Sequence, residues 1–307
     1  MSSTQHFSGF IHLFGNPNVG KSSLVHALCG QKLAIITERP QTTRHRIFVI
    51  YNDDTHQAIF SDAPGRIKEP QYKLQERMNI HAHAGIYDAD LILFVTTPEE
   101  KLDPDQVESI KKTKVPVLLI VNKSDLFSQE KAEAARQAWL SLYPFSHSFI
   151  VSALENKGTP ELLETLLKSL PEGPAYFPKD EMSDRHERFF IAELIRETIF
   201  ESYYDEIPYS SEVQVQDFKD SEKDNKPFAK IYVYIFVERD SQKAILLGQH
   251  GKSIKELGIQ ARKKIEDFLG HPIYLDLQVK TEKNWRNNPE VLKKIWLLII
   301  LDEKIHE

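Results

Sequence analysis

Gly15-Asn16-Pro17-Asn18-Val19-Gly20-Lys21-Ser22 fits G-x-x-x-x-G-K-[ST], with an apolar run before it and an amphipathic stretch after it. A glycine-rich turn between a strand and a helix lets backbone N–H groups converge on phosphate oxygens, and the helix N-terminus adds positive potential. In that chemistry the Lys21 ammonium reaches the β- and γ-phosphates. The Ser22 hydroxyl ligates Mg²⁺, with Ser23 beside it in the first helical turn.

Outward from this loop, short apolar runs alternate with amphipathic stretches as far as residue 170. The alternation predicts strand and crossover-helix units building a mostly parallel sheet, an α/β fold. Strands are expected at 9–14, 56–61, 91–95, 115–121 and 148–151, and helices at 21–29, 73–84, 105–112, 132–142 and 160–170. Three further motifs end predicted strands, where α/β sheets hold ligands. Asp62-Ala63-Pro64-Gly65 offers a carboxylate for Mg²⁺ through water and the Gly65 N–H for a γ-phosphate. Asn122-Lys123-Ser124-Asp125 offers a carboxylate for the guanine N1–H and exocyclic amine, donors that adenine does not present in that arrangement. Ser152-Ala153-Leu154 offers backbone N–H for the guanine O6. The order of the motifs selects GTP and GDP.

The chain has 307 residues, 41% hydrophobic and 27% charged, which suggests two domains and excludes both a disordered chain and a small stapled module. One cysteine, Cys29, allows no internal disulfide and no cysteine-based zinc site, and a reducing compartment is expected. The longest apolar runs, such as 295–301, fall far short of the ~18 residues of a membrane span. The net charge of −6 argues against polyanion binding, yet it hides an asymmetry: 241–294 carries +5 and the remainder −11.

Pro171-Glu172-Gly173-Pro174-Ala175-Tyr176-Phe177-Pro178 excludes regular structure and marks the domain boundary. The first domain is expected at 7–172, a linker at 173–183 and a second domain at 184–307. In the latter, Asp184 should cap a helix over 185–201, and strands at 211–217 and 228–238 flank a polar connector at 219–226. Further on, Gly248-Gln249-His250-Gly251 precedes a helix to about 269, a strand at 273–279 and a last helix from Pro289. A G-x-x-G loop before a helix is the device by which a KH module approaches RNA backbone. Lys252, Lys255 and the Arg262-Lys263-Lys264 cluster supply charge that Gln249 and His250 lack.

The whole chain resembles the Era family of bacterial ribosome-assembly GTPases, from about residue 7 to about 297. The resemblance rests on the P-loop, on Pro40-Gln41-Thr42-Thr43-Arg44-His45-Arg46 in the switch I position, and on the three later motifs. In the second domain it rests on the residues following the G-x-x-G loop, on Tyr204 to Ser210 and on Val279 to Arg286. It implies a P-loop GTPase domain followed by an α+β type II KH domain at about 203–281. Thr43, rather than Thr42, would join Ser22 and Asp62 on Mg²⁺, and Asn18 would help hold a K⁺. It also implies that Gly248, Gln249, His250, Gly251, Lys252, Lys255 and Arg262 meet the single-stranded 3′ end of 16S rRNA. Slow GTP hydrolysis would then time maturation of the 30S subunit by a cytoplasmic monomer, with peripheral contact at the inner membrane left open. Two positions depart from the family: Ala63 stands where threonine is usual and Arg66 where an apolar residue is, which makes Arg66 a rival to K⁺ as the source of transition-state charge. The 296–307 terminus does not resemble the usual family terminus. A tandem-domain GTPase of the Der type is disfavoured by the single P-loop, a nucleotide kinase by Asn122 to Asp125, and a non-catalytic RNA-binding module by the intact Lys21, Ser22, Asp62 and Asp125.

Overall fold

The computed structural model describes residues 5–30, 39, 41–223 and 225–293. Pro40, Lys294, the 295–301 apolar run and the 296–307 terminus lie outside them. The chain divides into two compact units, with residues up to Asp184 in the first and those from Arg185 in the second, apart from the short stretch Gln71–Leu74, which groups with the second.

The first unit runs β1 (Phe7–Phe14), α1 (Lys21–Cys29), β2 (Ile47–Asn52), β3 (His56–Asp62), α2 (Lys73–Asp88), β4 (Leu91–Thr96), α3 (Pro104–Lys111), β5 (Val117–Val121), α4 (Gln129–Leu140), β6 (His147–Ile150) and α5 (Thr159–Lys168). Its six-stranded sheet has the order β2-β3-β1-β4-β5-β6, and every neighbouring pair is parallel except β2 with β3. All residues of β4 and β5 are buried, as strands covered on both faces require. Trp139 of α4 packs on Phe94 with ring centroids 4.8 Å apart, and both are fully buried. Asp103 caps α3 by accepting the Asp105 N–H, with Pro104 at the first helical position.

The stretch expected as a linker is instead fastened to this unit. Gln57, buried in β3, accepts the Tyr176 and Phe177 N–H groups and donates to the Phe177 carbonyl. Ile50 N–H donates to Met182 O, the Ser183 hydroxyl to Phe48 O, and Phe48 N–H to the Asp184 carboxylate. Asp184 is therefore not the cap of the helix that follows; His186 occupies that position.

The second unit runs α6 (Glu187–Ser202), α7 (Ile207–Ser210), β7 (Glu212–Lys223), β8 (Lys226–Val237), α8 (Asp240–Leu247), α9 (Lys252–Leu269) and β9 (Ile273–Thr281). The sheet order is β7-β8-β9, antiparallel then parallel. Most of the expected connector at 219–226 is strand, with β7 reaching Lys223 and β8 starting at Lys226: Lys219 pairs Lys230 and Ser221 pairs Phe228, so the hairpin extends past its buried part. Ile231, Val233, Ile235 and Val237 alternate along β8 and pack with Ile191, Ile195 and Ile199 of α6 and Leu257, Ala261 and Ile265 of α9. Phe189 and Phe190 of α6 are buried. Among the described residues no helix is long and apolar enough to cross a membrane.

Candidate functional site

Loops leaving β1, β3, β5 and β6 line a cavity of about 380 Å³ in the first unit, together with Arg39 and Gln41 to Thr43. At one end the Ser22 hydroxyl donates to Asp62 Oδ2 at 2.6 Å and lies 3.2 Å from Thr43 Oγ1. Thr42 instead donates its hydroxyl to Arg39 O at 2.8 Å. Thr43 is thus the threonine that stands beside Ser22 and Asp62.

Asp62 is fully buried, and its Oδ1 has no hydrogen-bond partner. Burial pushes its carboxyl up to about 6, against the hydrogen bond from Ser22 and the charge of Lys21. Lys21 Nζ donates to Gly15 O at 3.1 Å and Asn16 O at 2.8 Å. Burial pushes this ammonium down to about 8, opposed by Asp62 and Glu100. Two hydroxyls around a carboxylate with an unpartnered oxygen form a hard-oxygen donor set that fits Mg²⁺. Gly65 presses on the P-loop: a Cβ there would fall 2.3 Å from Pro17 N. Ala63 borders the cavity, and Pro64 joins it to Gly65.

At the other end, Asn122 Nδ2 donates to Val19 O at 3.0 Å and Gly20 O at 3.3 Å, while its Oδ1 accepts the Ala153 N–H at 3.1 Å. One amide thereby ties the first motif to the last. Asp125 borders the cavity and accepts the Ser152 hydroxyl at 2.6 Å, and Ser124 N–H donates to Val151 O. Lys123, in the left-handed region with φ 61, brings Nζ to 3.4 Å from Asn18 Oδ1. Leu126 and Leu154 stand exposed at the mouth, apolar surface suited to cover a base. Ser23 completes the lining at the start of α1.

Sequence reading missed Glu100, whose carboxylate accepts Asn16 Nδ2 and the Thr96 hydroxyl and so holds the P-loop from behind. Asn16 consequently turns its side chain away from the cavity and contributes its carbonyl. Arg66, the rival internal finger, lies 4.0 Å from Asp103 and 3.7 Å from Asp105 at the start of α3 and does not border the cavity.

In the second unit Gly248 to Gly251 form a tight turn between α8 and α9, with positive φ at Gly248, His250 and Gly251. Gln249, His250, Lys252 and Lys255 are exposed. A groove of about 640 Å³ follows between α9 and β9, floored by Ile254, Gly258, Ile273 and Leu277 and edged by Lys255 and Arg262. Lys264, expected to attract phosphate, is instead held 2.7 Å from both Glu197 and Glu201 of α6. Its charge is spent inside the unit.

A nucleotide cavity on a parallel sheet, followed by a G-x-x-G turn on an α-β-β-α-α-β unit, defines a P-loop GTPase with a KH domain. The pattern of the 50S ribosome-binding GTPase family matches residues 10–123, and that of the KH domain matches 206–286. GTPase Era of Lactobacillus helveticus is 42% identical over 290 residues, covering 94% of this chain and 95% of that protein. GTPase Era of a Thermoanaerobacter species is 38% identical over 305 residues, 98% of this chain and 99% of that one. Era crystallised with MgGDPNP and nucleotides 1506–1542 of 16S ribosomal RNA superposes with a TM-score of 0.88 at 33% identity, over 94% of this chain and 98% of that one. The chain belongs to the Era family of GTPases, and its activity is hydrolysis of GTP to GDP and phosphate.

Proposed function

We propose that this GTPase is a slow switch that binds the 3′ region of 16S rRNA through its KH domain and assists maturation of the 30S subunit in the cytoplasm. The observation that carries the reading is the cavity that has Ser22 and Thr43 at one end, with Asp62 bonded behind Ser22, and Asp125 at the other, in a chain that also presents an open G-x-x-G turn. P-loop N–H groups and Lys21 hold the β- and γ-phosphates, Asp125 reads the guanine edge, and the Ala153 N–H meets O6. Ser22, Thr43 and Asp62 would hold Mg²⁺, which supplies charge neutralisation between the β- and γ-phosphates. A water oxygen bonds to the γ-phosphorus as the bond to the bridging oxygen breaks; GDP leaves with that electron pair, and the water's proton passes to phosphate. The Gly65 N–H holds a γ-phosphate oxygen in line. The position after Gly65 holds Arg66 and not a water-orienting glutamine, so intrinsic hydrolysis is slow. Asn18 would help hold a K⁺, which would supply positive charge in the transition state, so turnover in K⁺ should exceed that in Na⁺.

The test is to capture RNA from a bacterial lysate on the full chain loaded with GDP, GTP or a non-hydrolysable analogue, and to sequence it. Enrichment of the 16S 3′ end in one nucleotide state is expected. Equal recovery of unrelated RNAs in all states would overturn the reading.

A further inference from the structure

His12 lies at the centre of the first unit with no exposed surface. Its Nε2 is 3.1 Å from Ala82 O of α2, and its Nδ1 is 3.2 Å from Ser61 Oγ of β3. Burial drives its pKa down to about 4. The ring is therefore neutral near pH 7, and the partners assign the proton: Nε2–H donates to Ala82 O, while Nδ1 accepts the Ser61 hydroxyl. The same Ser61 oxygen accepts Arg46 Nε–H at 2.7 Å, and the Arg46 guanidinium grips Asp88 at the end of α2 with contacts of 2.7 and 2.8 Å. Between Ala82 and Asp88 sits Gly85, where a Cβ would fall 2.1 Å from His12 Nδ1. The ring and α2 meet at a separation only glycine permits, so both the height and the rotation of the helix are fixed.

One turn before Ala82, the same helix carries Asn79. Its Oδ1 accepts the Ile67 N–H and its Nδ2 donates to Ile67 O, both at 2.8 Å. A paired contact of this kind holds the residue's backbone through the peptide groups on both sides of its Cα. Ile67 is two residues beyond Gly65, whose backbone is already pressed on Pro17. Lys68 and Arg66 also reach Asp103 from this loop, but by side-chain ion pairs, and Lys68 is largely exposed; such pairs hold a backbone weakly.

We infer that Asn79 is a positioning residue for GTP hydrolysis: α2, seated on His12 through Gly85, holds the Ile67 backbone so that the Gly65 N–H stays aimed at the γ-phosphate. This rests on the reading of Gly65 given above. Arg46 lies three residues after Thr43, so the anchor of α2 also joins the segment that brings Thr43 to Ser22. None of these groups contacts the part of the cavity that GDP fills, and the effect falls on the γ-phosphate step alone.

The experiment compares full-length wild type with Asn79→Asp, which can still accept from Ile67 N–H but sets a carboxylate against Ile67 O, and with Ser61→Ala, which removes the hydroxyl between His12 and Arg46. GDP affinity, affinity for a non-hydrolysable GTP analogue, kcat and Tm are measured. The expected result is GDP affinity within about twofold of wild type, with kcat lowered roughly tenfold to a hundredfold, as a slightly misplaced group produces. A kcat within twofold of wild type for both variants, or an equal loss of GDP affinity and kcat, overturns the inference. Should Asn79→Asp fail to fold, the Ser61→Ala result decides. Gly65→Ala separates the two levels: wild-type turnover in that variant sinks the reading of Gly65, whereas lost turnover there with normal Asn79→Asp turnover sinks the role of Asn79 alone.

Discussion

The two glycines of the G-x-x-G turn make opposite demands, and their contrast tests the KH reading. Gly248 and Gly251 both have positive φ, 68 and 75; an L-residue costs about 1–2 kcal/mol at Gly251, which is left-handed helical, and about 1–3 kcal/mol at Gly248, whose ψ of −179 puts it in a region essentially reserved for glycine. Their surroundings differ. A Cβ on Gly248 would lie 2.1 Å from Ser253 Oγ and 2.9 Å from Ser253 N, whereas one on Gly251 meets nothing within 4 Å. Aspartate tolerates the left-handed region better than most residues, so Gly251→Asp should fold with a small loss of stability. Gly248→Ala must push the start of α9 aside. The RNA effect should be reversed in character: a carboxylate on Gly251 stands in open space where a phosphate approaches, and two like charges about 4 Å apart repel by ~1 kcal/mol in water and ~4 kcal/mol at the effective dielectric of a protein surface. Affinity should drop roughly fivefold to a thousandfold. The assay is fluorescence anisotropy with single-stranded and duplex RNA on the full chain, alongside thermal unfolding. Unchanged binding by a folded Gly251→Asp, or equal affinity for single-stranded and duplex RNA, would refute the assignment of the turn as the RNA-contacting device.

Asp125→Asn should weaken GTP binding by several kcal/mol and move preference toward xanthosine nucleotides, because an amide complements their 2-oxo group; competition assays with GTP, ATP and XTP check it. Lys264→Met should lower stability by about 1–3 kcal/mol, since it takes a charged hydrogen-bond donor from the buried Glu197 carboxylate, and leave the salt dependence of RNA binding intact. Lys255→Ala should do the reverse, lowering the salt slope by about 1 with Tm unchanged. For pH, His12 has its native value depressed from 6.5 to about 4, so the stability it contributes is full above 6.5 and lost as pH falls toward 4. Asp62 is raised from 3.8 to about 6, so its burial cost is present above 6 and relieved as pH falls toward 4. The two offset each other, at about 3 kcal/mol apiece. In nucleotide-free protein in EDTA, denaturant melts should show Asp62→Asn losing about that much relative to wild type between pH 6 and 4; parallel curves would contradict the assignment.

The P-loop and the three later motifs were legible because each packs several chemical roles into consecutive residues, and their order fixes their place on the sheet. The choice of Thr43 over Thr42 came from the family resemblance, and Thr43 is the one that stands 3.2 Å from Ser22. What escaped the sequence depends on partners far along the chain. β2 went unnoticed because Phe48-Val49-Ile50 follows the polar switch segment without a turn signal, and only its pairing with β3 makes it a strand. Glu100 is a lone acid in a loop, and its meeting with Asn16 spans 84 positions. Lys264 looks like its neighbour Lys263 until α6 brings Glu197 and Glu201 against it. Asp184 has the composition of a cap and stands near a helix start, but Phe48 N–H claims it first.

The 173–184 strap also has a bearing on solubility. β2 is the outermost strand of its sheet on that side, and a bare outer strand offers a row of unsatisfied N–H and C=O groups to any passing chain. Here the Phe48 N–H and C=O and the Ile50 N–H are taken by Met182, Ser183 and Asp184. The upstream part of the strap is rich in proline, which lacks the N–H needed to template a further strand. A nucleotide domain cut at the end of α5 would keep every phosphate- and base-binding residue and still be prone to self-association, whereas one cut after Asp184 carries its own edge guard.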